Sequence, residues 1–187
     1  MGAEILRAAH DSTSSVLANV TPEQMSGSTP CASWSVLDVV NHVVGGSHYM
    51  AHAMETGQAP DGYPEFDQAD YLASYQQGAE RSVLAFDAPG ALDKDVVLPF
   101  GTMPGSAVLN LAALDTFTHG WDLAKATGQS TDLDPVLAAN LLEVAKQTVP
   151  DGFRGDDGVM PFAPAVLDAK PTCPADELAA FLGRDIL

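Results

Sequence analysis

One segment of the chain gathers the side chains best suited to chemistry. The run Leu114-Asp115-Thr116-Phe117-Thr118-His119-Gly120-Trp121-Asp122 sets a carboxylate, an imidazole and a second carboxylate at spacings of four and three residues. At about 100° per residue, Asp115 and His119 stand roughly 40° apart on a helix face, close enough to share a ligand. Earlier in the chain Asp38 and His42 repeat the four-residue spacing, with His42 between the valine pairs Val39-Val40 and Val43-Val44.

Two neutral imidazoles and one carboxylate, His42, His119 and Asp115, suit a divalent ion such as zinc, nickel or iron. Three protein donors leave coordination positions open, the arrangement of reactive rather than structural sites. Asp38 and Asp122 then fall where they orient the imidazoles. Spacing alone leaves other answers open. A carboxylate buried between Leu111, Leu114 and Phe117 needs compensation, and an arginine partner or a hydrogen-bonded core network supplies it as well as a metal does. His48 and His52 make a rival pair, rotated roughly 80° to 120° from His42 about the same axis, and read as partly exposed residues near a loop. His10, alone on the first helix, reads as a surface residue.

Apolar periodicity supplies the elements that must hold these groups. Ile5, Ala9, Val16 and Val20 mark a first helix over 4–20. Ser33 or Ser35 caps a second running to about Met54, with Asp38 completing a capping box after Ser35. Leu72, Tyr75, Ala79, Val83 and Phe86 mark a third, ended by Pro89-Gly90. Pro104 opens a fourth and Gly128 stops it, and Asp134-Pro135 opens a fifth through about Thr148. Val96 to Gly101 is β-rich but broken by Pro99, so it reads as an extended connector or small hairpin. Asp151 to Pro174, rich in Gly, Pro and Asp, reads as a long ordered loop ahead of a last short helix, Ala175 to Leu182. The expectation is an all-α helical bundle in one domain, 1–187, with its core over about 1–150 and the loop and short helix over 151–187.

Eight Lys and Arg against 25 Asp and Glu give a net charge of −17. Such a surface repels phosphate backbones and anionic lipid, so neither nucleic acid nor membrane is an expected partner, and a small molecule in a concave site is. The N-terminus lacks a signal-like pattern and no run approaches the roughly 20 apolar residues of a membrane span, which points to a cytoplasmic protein. Cys31 and Cys173 lie far apart and form no C-x-x-C pair, so neither a thiolate zinc site nor a disulfide framework is indicated.

The run Trp34-Ser35-Val36-Leu37-Asp38-Val39-Val40-Asn41-His42-Val43-Val44-Gly45-Gly46 resembles the first metal-ligand motif of the mycothiol-dependent maleylpyruvate isomerase N-terminal domain, within the DinB-like four-helix bundles. Asp115 to Ala124 resembles its second motif, and the ending Phe181-Leu182-Gly183-Arg184-Asp185 is similar to that of single-domain relatives of unassigned activity. The resemblance spans about residues 1 to 150. It implies a DinB-like four-helix bundle with additional short helices and a long C-terminal loop. It also implies one divalent metal, zinc before nickel or iron, on His42, Asp115 and His119. The implied chemistry is a metal-assisted thiol transferase or isomerase that takes mycothiol as co-substrate and acts on a small electrophile. Two departures argue against maleylpyruvate itself: Asp115 stands where the isomerase has Glu, and no counterpart of its separate C-terminal domain is expected. Tyr49, Trp121, Phe162 and Arg184 are candidates to line or close the site. Metal-dependent hydrolysis with Asp122 as base, and a metal-binding bundle without turnover that pairs as a homodimer, are the competing expectations.

Overall fold

Capping chemistry sets where the helices begin. Ser35 accepts from Asp38 N–H while the Asp38 carboxylate accepts from Ser35 N–H, so helix α2 starts at Val36 and runs to Thr56. Asp70 accepts from Ala73 N–H at the head of α3, Tyr71–Asp87, and Asp134 accepts from Val136 and Leu137 N–H at the head of α5, Pro135–Thr148. Each cap satisfies donors that the first turn leaves without helical partners. Helix α1, Glu4–Leu17, stops three residues before the expected Val20 because Asn19 and Val20 N–H turn back to Val16 and Leu17 carbonyls, a tighter winding that ends the helix. Strands β1, Asp95–Leu98, and β2, Gly101–Pro104, pair antiparallel, so the connector-or-hairpin expectation resolves as a hairpin turning at Pro99-Phe100. It feeds directly into α4, Gly105–Ala126, and α6 spans Pro174–Phe181.

These elements are described over residues 2–156, 159–160 and 162–186 of the computed structural model. Residues 157, 158 and 161 of the expected 151–174 loop lie outside them. The chain is mostly helical with one small hairpin. Helices α1 to α4 pack in the cyclic order α1–α3–α2–α4, and α5 and α6 lie against the outer side of α4. Leu6, Phe86, Leu109, Phe117, Trp121 and Leu141 anchor one apolar cluster; the α2 valines with Leu17, Tyr75 and Leu123 form another. Helix α4 is buried on nearly every side from Val108 to Ala124, so polar residues on it are carried into the interior. No helix among the described residues is long and apolar enough to cross a membrane.

Two histidines expected near the surface are interior. His48 is buried, with its Nε2 hydrogen-bonded to the Ser74 carbonyl at 2.9 Å, because α3 packs directly over that face of α2. His10 is 4 % exposed, its Nδ1 lying 2.8 Å from the Tyr75 hydroxyl across the α1–α3 seam.

The α1–α4 crossing is close at Gly120, where a Cβ would stand 3.2 Å from Thr13 Cβ and 3.3 Å from its Cα. Gly120→Ala should therefore lower stability by about 1–3 kcal/mol through overpacking, against the roughly 1 kcal/mol that alanine contributes to an exposed helix; urea unfolding reads the sign. His10 supplies a pH dependence. Burial, with a smaller contribution from Arg7, lowers its pKa from 6.5 to about 4. Between those values the unfolded chain binds a proton that the folded chain refuses, so stability falls as pH drops through that window, by at most about 1.4 kcal/mol per unit. The urea midpoint of the native chain relative to that of His10→Gln should therefore fall from pH 7 to pH 4.5. Parallel curves would remove the role given to His10.

Candidate metal centre

Helices α2 and α4 bring His42, Asp115 and His119 together. His42 Nε2 lies 3.0 Å and 3.2 Å from the two Asp115 oxygens, and His119 Nε2 lies 3.6 Å from Asp115 Oδ1. The two rings meet edge to face with centroids 4.5 Å apart. A divalent ion bound at roughly 2.0–2.2 Å from each donor needs the donors about 3–3.5 Å from one another, and ligand atoms of these three residues all lie within 4.8 Å. The donor set of two imidazole nitrogens and a carboxylate fits such an ion. The Asp115 side chain keeps 35 % exposure, so this corner of the bundle opens to solvent.

Each imidazole is held by its other nitrogen. His119 Nδ1 lies 3.0 Å from Asp122 Oδ2, and since a carboxylate only accepts, Nδ1–H donates there and Nε2 is left facing Asp115. His42 Nδ1 lies 2.6 Å from the Tyr63 hydroxyl. Trp34 covers both rings, near-parallel to His119 with centroids 5.3 Å apart and tilted over His42 at 4.8 Å.

Charge follows this geometry. Burial opposes a charged His42, but the Asp115 carboxylate outweighs it and raises the imidazole pKa above its usual value. Burial likewise acts to raise the Asp115 carboxyl, yet the two imidazoles and, further off, Arg184 pull it well below the ordinary carboxylate range. Asp122 has no solvent exposure and is also held low, chiefly by Arg184 and His119 against the cost of burial. Arg184 bonds Asp122 Oδ1 through Nε at 3.3 Å and Oδ2 through Nη2 at 3.2 Å, and Nη2 lies 3.3 Å from the Cys31 sulfur. Donor atoms of Cys31, His119 and Asp122 form a second group within 4.8 Å, but the Arg184 guanidinium already lies against it and supplies the positive charge.

The remaining candidates divide. Arg184 and Asp122 stand behind His119, and the burial of Asp122 leaves it unable to serve as base to a water in the opening. Asp38 does not orient His42: its carboxylate accepts from Ser35 N–H at 2.8 Å and Ser35 Oγ–H at 2.6 Å, so it caps the helix. Tyr63 holds His42 instead. Tyr49 is one ring removed, edge-on to Tyr63 with centroids 6.0 Å apart. Trp121 and Phe162 pack with the main apolar cluster, and Trp121 Nε1–H donates to Asp176 at 3.1 Å. Tyr63, Trp34 and Cys31 carried no periodic signal, since all three sit in loops; only the place of Trp34 directly before the Ser35 cap marks it as able to fold back over the first turns of α2.

Residues 6–124 match the family described as the mycothiol maleylpyruvate isomerase N-terminal domain, a span that contains His42, Asp115, His119 and Asp122 and stops short of Arg184. Uncharacterized proteins from two strains of Mycobacterium tuberculosis are each 41 % identical to this chain over 182 residues, covering 95 % of it and 94 % of their own length. No solved structure matches the chain. The donor triad lies within a sequence match that covers α1 through most of α4, and the chain belongs to the mycothiol maleylpyruvate isomerase N-terminal domain family.

Proposed function

We propose that this chain is a single-domain, DinB-like four-helix bundle that binds one divalent metal, zinc first among the candidates, through His42, Asp115 and His119. We read it as a metal-dependent thiol transferase or isomerase, with a low-molecular-weight thiol of the mycothiol type as co-substrate and a small electrophile as acceptor. The observation that carries the reading is the convergence of two imidazole Nε2 atoms on one carboxylate, with both Nδ1 atoms already engaged. A divalent ion supplies Lewis acidity that lowers the pKa of a thiol at neutral pH.

The residues do the rest by position. Asp115 places a negative charge between the imidazoles and balances part of a divalent charge. Trp34 shields the outer faces of both rings from water, which strengthens electrostatic interaction beneath it. Tyr63 and Asp122 fix which nitrogen of each ring faces the opening. With Asp122 buried and bonded to Arg184, the carboxylate nearest His119 on the inner side is not free to act as a base for hydrolysis, which favours a nucleophile brought in as a thiol. The acidic surface suits a small diffusing substrate and a cytoplasmic thiol pool, and disfavours nucleic acid and anionic membrane as partners.

Purified protein supplied with zinc should carry about one ion per chain, and His42→Ala, Asp115→Ala and His119→Ala should each lose it by elemental analysis. Asp38→Ala should keep the metal and lose about 1 kcal/mol of stability, as a cap and not a ligand partner. Equal metal content in all these proteins would refute the site. Metal-loaded protein should consume an electrophile only when a low-molecular-weight thiol is present, followed by thiol titration; turnover without thiol would sink the transferase reading.

A further inference from the structure

We propose that Arg184, beyond the residues that the family match covers, is a positioning residue for the metal centre: its two-point grip on Asp122 sets the orientation and tautomer of His119. The inference rests on the metal reading above for its purpose, and on separate geometry for its substance.

The segment after α6 is built to deliver this side chain. Gly183 turns the chain with φ +88°, and its N–H bonds the Ala180 carbonyl at 3.0 Å while Arg184 N–H bonds that of Ala179 at 2.9 Å. That pair is the hydrogen-bond pattern of a glycine-ended helix, which satisfies the last carbonyls and reverses the chain. A Cβ on Gly183 would meet Ala163 backbone at 2.6 Å, so both conformation and space call for glycine. Arg184 is thereby carried inward to 9 % exposure, where Nη1 anchors it on the Leu182 carbonyl at 3.1 Å.

The remaining guanidinium donors meet both Asp122 oxygens. One contact leaves a carboxylate free to rotate about its Cβ–Cγ bond; two contacts on separate oxygens fix its plane. With the plane fixed, Oδ2 stays 3.0 Å from His119 Nδ1. Nothing on α4 does this alone, because side chains three residues apart on a helix are neighbours whose torsions remain free. The same guanidinium reaches Cys31 Sγ at 3.3 Å and so ties the loop that carries Trp34 to the rear of the centre.

The test reads His119 itself. In metal-free, 15N-labelled protein the His119 imidazole should be a single tautomer protonated at Nδ1. In Arg184→Met and Arg184→Lys it should become a mixture, while His42, held by Tyr63, keeps its native tautomer. Cobalt affinity, read from the visible absorption of the bound ion, should fall about 10- to 100-fold in both. The Lys variant keeps the buried charge paired and so separates the fork from the charge; if the Met variant does not fold, the Lys variant decides alone. Folded Arg184→Lys protein with a single His119 tautomer and cobalt affinity within about twofold of the native chain overturns the proposal. A native chain that binds no cobalt, while its His119 tautomer still depends on Arg184, removes the metal reading and leaves the positioning role standing.

Discussion

The carboxylate of Asp122, with no solvent exposure in the last two turns of the most buried helix, is the constraint around which the molecule is arranged. An unpaired charge there costs several kcal/mol, a large share of the stability of a domain this size. The fold meets that cost from three directions: the guanidinium of Arg184 from beyond α6, the imidazole N–H of His119 from the same helix, and the Cys31 thiol, which donates at 3.3 Å from the loop before α2. Segments distant in sequence are thereby committed to one point. Placing α6 and its turn follows from this as much as from the apolar contacts of Leu178 and Leu182.

Asp115, seven residues earlier, is the counterpart with the opposite assignment. It keeps access to solvent and has imidazoles, not a guanidinium, for neighbours. His119 stands between the two carboxylates with one nitrogen toward each. The interior carboxylate holds the ring as a donor on one side and so turns its other nitrogen toward the open half. A polar stripe that would otherwise only weaken the core is divided into a supporting half and an open half.

Local chemistry was readable in the residues and long-range pairing was not. The capping box at Ser35 and the Asp134-Pro135 start are local signals, and α2 and α5 begin where these place them. The four-residue spacing of Asp115 and His119 put them on one face for the same reason. Asp38 shows where local spacing divides: its position suits both the cap and His42, and the cap, two bonds to Ser35, holds it. His10 depended on a tyrosine 65 residues away, which no local pattern announces. Trp121 could have been excluded, since two residues beyond His119 is about 200° around the helix, on the far side from the site.

The shorter carboxylate at 115 is consistent with this packing. One methylene less than glutamate shortens the reach, so the helices bearing the donors must lie closer for the same contacts. Val39, Val40, Val43 and Val44 give α2 a row of compact β-branched side chains in place of longer ones, and α2 packs directly on α4. Across that seam Asp115 touches His42 at 3.0 Å, and along its own helix it lies 3.6 Å from His119. The donors converge with the shorter carboxylate in place, and the Asp115 side chain, 35 % exposed, borders the side of the site that opens to solvent.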